Sequence, residues 1–142
     1  MDDIVTDRLI IKRCGHGRIF LKENKKEEIG FISSYDATQY GAQAQEICYK
    51  LESHRGCGYM TEALSAKTKQ IIQDYNRVPV LEIDETNKDS INVAKRVKYF
   101  EYTDAKLVKS DKEYKVKVYV PKGIASDVET KQLIIQDKDL EL

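Results

Sequence analysis

Residues 46 to 64, Glu-Ile-Cys-Tyr-Lys-Leu-Glu-Ser-His-Arg-Gly-Cys-Gly-Tyr-Met-Thr-Glu-Ala-Leu, change hydrophobic period midway, and this change restricts the fold more than any other feature of the chain. Ile47, Tyr49 and Leu51 alternate with polar neighbours, the pattern of a strand. From Met60 onward the apolar residues fall at Ala63, Leu64, Ile71, Ile72 and Tyr75, the spacing of a helix. Gly56 and Gly58 stand where the two periods meet, so the stretch reads as strand, glycine turn, helix. Glycines let the backbone approach a ligand closely, and the unpaired N–H groups of the first helical turn point into the same crook. An anion there gains about 0.3 to 1 kcal/mol from the helix dipole, and about 1.5 to 3 kcal/mol from each charge-assisted hydrogen bond. Geometry alone leaves an ordinary helix start equally open.

Two nucleotide-binding loops are excluded. A Walker-type loop needs Gly-Lys followed by Ser or Thr, which is absent, and a dinucleotide fingerprint needs a third glycine where Thr61 stands. The 142 residues suffice for one domain. Lys plus Arg and Asp plus Glu each number 24, so no net charge draws the chain to nucleic acid or to an anionic membrane. No apolar run approaches the roughly 20 residues of a membrane span, and the opening Met-Asp-Asp lacks the order of a signal peptide. A cytoplasmic protein is expected. Cys14, Cys48 and Cys57 cannot all pair and have no zinc spacing, so they are read as reduced thiols, and no metal site is expected.

The remaining elements follow from pattern. Thr6 to Arg13 reads as a strand, Cys14-Gly-His-Gly17 as a turn, and residues 18 to 23 and 28 to 35 as a hairpin closed by Asn24 to Glu27. Asp36 to Gln43 is polar and reads as a loop. Val78 to Asp84 is a strand with Pro79 near its start, where a missing N–H is tolerated. Asp89 or Ser90 is available as a cap for a helix after Asn87, should one form there. Tyr114, Val116, Val118 and Val120 alternate cleanly, and Ala105 to Lys109 supplies a partner strand. In the tail, Gln132 to Gln136 is open between an extra strand and a short helix.

Arg55-Gly-Cys-Gly-Tyr-Met60 resembles the acetyl-CoA loop of the GNAT acetyltransferase superfamily, whose pattern is Gln or Arg, two residues, Gly, one residue, then Gly or Ala. Gly58 takes the required glycine and Met60 the final small position. The flanking words Glu-Ile-x-Tyr-x-Leu and Gly-Tyr-Met-Thr-Glu-Ala-Leu resemble the ribosomal-protein N-terminal acetyltransferase branch. Thr6-Asp-Arg-Leu9 resembles that branch's first strand, Gly30-Phe-Ile its third, and Asn87 to Phe100 its Asn-x-x-Ser segment beside the pantetheine arm. Lys98-Tyr99 replaces the usual Gly-Phe at the exit of that segment.

The resemblance implies a mixed α/β fold, a twisted, mostly antiparallel sheet with two principal helices, splayed between the strand at Glu46 and the strand at Val80. Residues 1–123 would form the GNAT-like domain, with 124–142 a tail outside it. Acetyl-CoA would lie in the splay as co-substrate, and its acetyl group would pass to an amine by direct attack in a ternary complex. The acceptor would be a protein N-terminus or a small-molecule amine. Glu46 would be the base and Ser90 the acid or thiol-positioning hydroxyl, since Ala94 stands where many members carry a tyrosine. Main-chain groups of Ile47, Cys48 and Tyr49 would pair with the pantetheine amides. Arg55, Gly56, Cys57, Gly58, Tyr59 and Met60 would surround the phosphates, and Asn87 would meet the pantetheine or substrate. Each residue has a plainer reading: a solvated or ion-paired carboxylate for Glu46, a helix cap for Ser90, a turn residue for Asn87, packing for Tyr59 and a solvated loop for His54.

The family normally inserts two helices between its first two strands, where this chain has only the turn at Cys14 to Gly17. A second subunit as in a homodimer, the tail, or a large acceptor would then complete the acceptor wall. The alternative is a non-catalytic acyl-CoA-binding or interaction module built on the same scaffold.

Overall fold

The computed structural model describes residues 3–13, 17–109, 112–121 and 133–136. Each alternating segment of the sequence becomes a strand, and each segment of helical period a helix. The strands are β1 (Ile4–Val5), β2 (Leu9–Ile11), β3 (Arg18–Leu21), β4 (Glu28–Asp36), β5 (Ala44–Leu51), β6 (Val78–Asp84), β7 (Tyr99–Lys109), β8 (Lys112–Pro121) and β9 (Leu133–Gln136). Helix α1 (Tyr59–Gln73) joins β5 to β6, and α2 (Lys88–Arg96) joins β6 to β7. The strands form one sheet in the order β1-β2-β3-β4-β5-β6-β8-β7-β9. Neighbours are antiparallel except β5 with β6 and β7 with β9. A parallel neighbour needs a crossover, and α1 supplies the one between β5 and β6. This is the mixed α/β architecture expected, with two principal helices.

Alternation along the strands sends successive side chains to opposite faces, so the sheet has two apolar layers. On one face Ile47, Leu81 and Tyr119 pack against Met60, Leu64 and Ile71 of α1 and Ile91 of α2. On the other face Ala44, Val78, Val80, Val116, Val118 and Val120 gather around Tyr40. Leu64 and Ile71 are fully buried, each contributing about 1.5 to 3 kcal/mol. No described helix is long and apolar enough to cross a membrane.

Four expectations are corrected or sharpened. The strand read from Thr6 to Arg13 is broken, because Thr6 and Arg8 turn toward Glu62 of α1: Thr6 Oγ1 donates to its carboxylate and Arg8 N–H reaches Oε2 at 2.9 Å. The chain therefore makes a tight turn, with Thr6 N–H bonded to the Leu9 carbonyl at 3.0 Å, and β1 folds back on β2. The polar loop after β4 holds a short 3-10 helix, Thr38–Tyr40, that drives Tyr40 fully into the core. Helix α2 is capped by Asn87, not by Asp89 or Ser90, since the Asn87 side chain accepts from the Ser90 N–H at 3.2 Å. In the tail, Leu133–Gln136 is a strand parallel to β7; residues 14–16 and the rest of the tail lie outside the described residues.

Strands β2 and β3 pair directly, Leu9 opposite Leu21 and Ile11 opposite Ile19, with only residues 12 to 17 between them. Gly17 itself lies tight against β4: its φ is +70°, and a Cβ there would lie 1.7 Å from the Ile32 carbonyl oxygen. Gly17→Ala is expected to lower stability by more than about 2 kcal/mol in urea unfolding. Gly56→Ala, at φ +83° but with open space around it, should cost only about 1 to 2 kcal/mol. Equal costs at the two positions would contradict the close approach.

Candidate active site

The pairing between β5 and β6 covers only Ala44 with Val78, Gln45 with Pro79 and Glu46 with Val80. Beyond Glu46 the two strands part, while the other edge of β5 stays bonded to β4 as far as Leu51. The backbone of Ile47, Cys48 and Tyr49 thus borders a wedge on one side. Tyr49 closes its floor on the helical face, where its hydroxyl donates to the Ser90 carbonyl at 3.1 Å. Ser90 lies half-buried in the first turn of α2, and Ala94 is fully buried on the same helix.

At the start of α1, Gly58 takes the left-handed conformation at φ +77° and offers no side-chain cap. The first helical hydrogen bond runs from the Glu62 N–H to the Gly58 carbonyl, 3.1 Å. The N–H groups of Gly58, Tyr59, Met60 and Thr61 therefore have no partner inside the helix. Cys57 is an exposed free thiol, and Met60 turns into the core. Arg55 is exposed, 4.0 Å from the Asp89 carboxylate, a solvated contact worth little. His54 braces the loop, with Nε2 3.0 Å from Glu27 and Nδ1 2.8 Å from the Ser53 hydroxyl.

One residue that sequence reasoning took only as a strand position organises this loop. Arg8 donates from Nε to Glu62 Oε1 at 2.8 Å and from its terminal nitrogen to the Cys57 carbonyl at 2.9 Å, and its guanidinium lies 4.4 Å over the Tyr59 ring. Burial works against an ionised Glu62, but the bonds from Thr6 and Arg8 outweigh it and hold the carboxyl below its usual range. The Thr-x-Arg pair is thus a clamp on the helix that carries the glycine turn.

The helix-free face of the sheet carries the ionisable groups. Glu46 is only 6% exposed and accepts a hydrogen bond from the Tyr35 hydroxyl. Cys48 Sγ lies 3.5 Å from the same carboxylate oxygen and 3.3 Å from Tyr35 Oη. On β6, Glu82 accepts from the hydroxyl of buried Tyr40. Burial pushes Glu46 up, the negative charge of Glu82 pushes it further, and it reaches about 7, although the bonds from Tyr35 and Cys48 pull the other way. Burial raises the Cys48 thiol to about 11, so it stays protonated at neutral pH and is no nucleophile. Tyr35 and Tyr40 are raised by burial as well and remain hydroxyl donors. A carboxylate half ionised near neutrality suits general-base chemistry. Glu46 is neither solvated nor ion-paired among the described residues. Glu82 escaped sequence reasoning, although its alternation with Val80 on β6 marks the face it occupies. Among the described residues no three His, Cys, Asp or Glu side chains gather to hold a metal.

The family model described as an acetyltransferase (GNAT) domain matches residues 3–99. The chain belongs to the GNAT acetyltransferase family. The chain is similar in fold to a GNAT-family acetyltransferase from Bacillus anthracis, at TM-score 0.64 and 17% identity over 72% of this chain and 63% of that one. RimL, a ribosomal-protein alpha-N-acetyltransferase solved with coenzyme A, matches at TM-score 0.57 and 24% identity over 72% of this chain and 58% of its own. A candidate ribosomal-protein-serine acetyltransferase from Vibrio cholerae matches at TM-score 0.68 and 14% identity over 85% of this GNAT chain and 100% of that chain. The chain spans less than two thirds of the length of the first two. No curated protein matches the sequence.

The raised Glu46 has a sign that can be tested. With a folded value near 7 against an ordinary 4.5, the protonated carboxyl is favoured in the folded state, so the contribution to stability is complete below about pH 4.5. It is lost as pH rises through about 7. Urea midpoints are expected to fall between about pH 5 and pH 8 in the native chain, and Glu46→Gln should flatten that decline. An identical pH dependence in the two proteins would show that Glu46 titrates normally.

Proposed function

We propose that this protein transfers the acetyl group of acetyl-CoA to an amine by direct attack in a ternary complex. The observation that carries the reading is the wedge where β5 and β6 part at Glu46 and Val80. Main-chain groups of β5 with no β6 pairing among the described residues border it on one side, and a buried carboxylate raised to about 7 faces the other side of the sheet. Acetyl-CoA would supply an activated thioester, and the chain's own groups would hold it and manage protons. Ile47, Cys48 and Tyr49 pair with the pantetheine arm as an added strand would. The amides of Gly58 to Thr61, with Gly56 and Cys57, receive the phosphates at the positive end of α1. Arg55 exchanges its weak contact with Asp89 for a phosphate, and Tyr59 and Met60 hold the turn from beneath. Asn87 has its carbonyl oxygen committed to the α2 cap, leaving its amide N–H₂ for the pantetheine.

Glu46 takes the proton that an ammonium must lose before it can attack, with Tyr35 fixing the carboxylate. Ser90, at the start of α2, protonates or positions the departing thiolate. The acceptor is a protein N-terminus or a small amine that approaches the helix-free face. Only residues 12 to 17 separate β2 from β3, where the family normally carries two helices, so the acceptor or a second copy of the chain completes that wall. The catalytic domain is residues 1–123, with 124–142 appended to it. Cys48 and Cys57 are free thiols, as a reducing cytoplasmic setting would keep them.

Calorimetry with acetyl-CoA and CoA, followed by thiol release against pooled amines, tests the reading. Micromolar binding with amine-dependent thiol release is expected, at roughly −8 kcal/mol for a Kd near 1 µM. Gly58→Trp should abolish binding, and Glu46→Gln should lower turnover at least about a hundredfold with binding intact. Absence of binding would remove the cofactor assignment. Binding without release for any amine would mark a non-catalytic acyl-CoA module.

A further inference from the structure

A cavity of about 620 Å³ opens between the C-terminal half of α1 and strands β1, β2, β4 and β5, on the helical face. It is separate from the wedge and sits at the end of α1 away from the glycine turn. Its floor is apolar, from Ile11 and Ile32, and its walls carry Lys12, Arg13, Lys67 and Arg77. Among the described residues that line it there is no Asp or Glu, although the chain has 24 of each sign of charge.

The structure accounts for some of these cations without an added ligand. Lys12 pairs with Asp3 at 3.1 Å, Arg77 donates to the Ala42 carbonyl at 3.1 Å beyond the end of α1, and Arg13 is engaged within the chain as well. Lys67 is different. It is half-buried, and its ammonium bonds to the neutral Gln70 side chain at 2.9 Å. It stands before the last turn of α1, outside the reach of the helix dipole that favours cations at a C-terminus. Burial lowers its proton affinity, and the neighbouring Arg13 lowers it further. Like charges brought together on a concave, partly desolvated wall cost free energy, and departures of this kind from local consistency mark functional sites. The volume lies in the range of small-ligand pockets, and Ser33, Ser34 and Gln45 add neutral hydrogen-bonding groups.

From this cavity, with Lys67 and Arg77 on one wall and Lys12 and Arg13 on the other, we infer that the protein has a second binding site, for a small multivalent anion. The ligand class is a di- or tricarboxylate or a phosphorylated metabolite, its charges answered by Lys67 and Arg77 and its body resting on Ile11 and Ile32. The site is independent of the acetyl-CoA assignment, and its test distinguishes the two. Citrate and pyrophosphate serve as probes in separate calorimetric titrations of the full chain at low ionic strength, up to about 10 mM, which would fill most of a site with a Kd near 1 mM. Binding of either probe is expected, with citrate alone pointing to carboxylates and pyrophosphate alone to phosphates. Lys67→Met, which keeps the packed stem and removes the charge, should weaken it at least about tenfold, and Arg77→Met likewise. Gly58→Trp, which blocks the turn at the other end of α1, should leave it unchanged. No binding of either probe, binding indifferent to Lys67→Met in a variant that melts as the native chain does, or binding abolished by Gly58→Trp would overturn the inference.

Discussion

Everything distinctive in this molecule depends on a parallel pairing that stops early. Strands β5 and β6 share hydrogen bonds only up to Glu46 and Val80, and a sheet that opens in its middle leaves polar backbone without a partner. Buried backbone groups are almost always paired, so a persistent opening calls for a ligand strand or for water. The same divergence lets the sheet do two things at once. On the helical face, Ile47 and Tyr49 lean on α1 and α2, and on the opposite face Glu46 and Cys48 meet Tyr35. One strand with period 2 therefore delivers an apolar floor and an ionisable group to opposite sides of a single opening.

The opening is held by contacts far apart in the chain. Glu62, on the first turn of α1, accepts bonds from Thr6 and Arg8, and Arg8 also grips the Cys57 carbonyl. Hydrogen bonds to an ionised group are shorter and stronger than those between neutral groups. The clamp thus fixes where the N-terminal end of α1 points relative to the sheet, and the turn at Gly58 inherits that position. Tyr40 performs the matching task on the other face. Its hydroxyl meets Glu82, which sets a second carboxylate on the face of Glu46 and raises the latter's proton affinity.

Wherever a single segment carried the whole signal, the sequence was legible. The change of period at Gly56 and Gly58 located α1 because the helical spacing from Met60 to Ile71 has one apolar side, and Val78 to Asp84 was readable as β6 to its last residue. The candidate site was legible in part, through Glu46 and the glycine turn. What escaped was set by partners distant in sequence. Tyr40 looked like part of a polar loop because the residue it bonds is 42 positions away, and the break at Thr6 to Arg8 follows from Glu62, 54 and 56 positions on. Asn87 displaced the expected caps because its side chain reaches the Ser90 amide. The cationic cavity was invisible for the same reason, since Lys12, Lys67 and Arg77 come from three separated segments.

The central claim is that the free edge of β5 and the first turn of α1 are one continuous surface for acetyl-CoA. Amide hydrogen exchange, residue by residue, with and without acetyl-CoA, tests it directly. The account predicts slowed exchange confined to Ile47 through Tyr49 and Gly58 through Thr61, with β8 and the β3–β4 hairpin unchanged. Acetyl-CoA that binds yet protects neither segment, or protects only amides elsewhere, would contradict it.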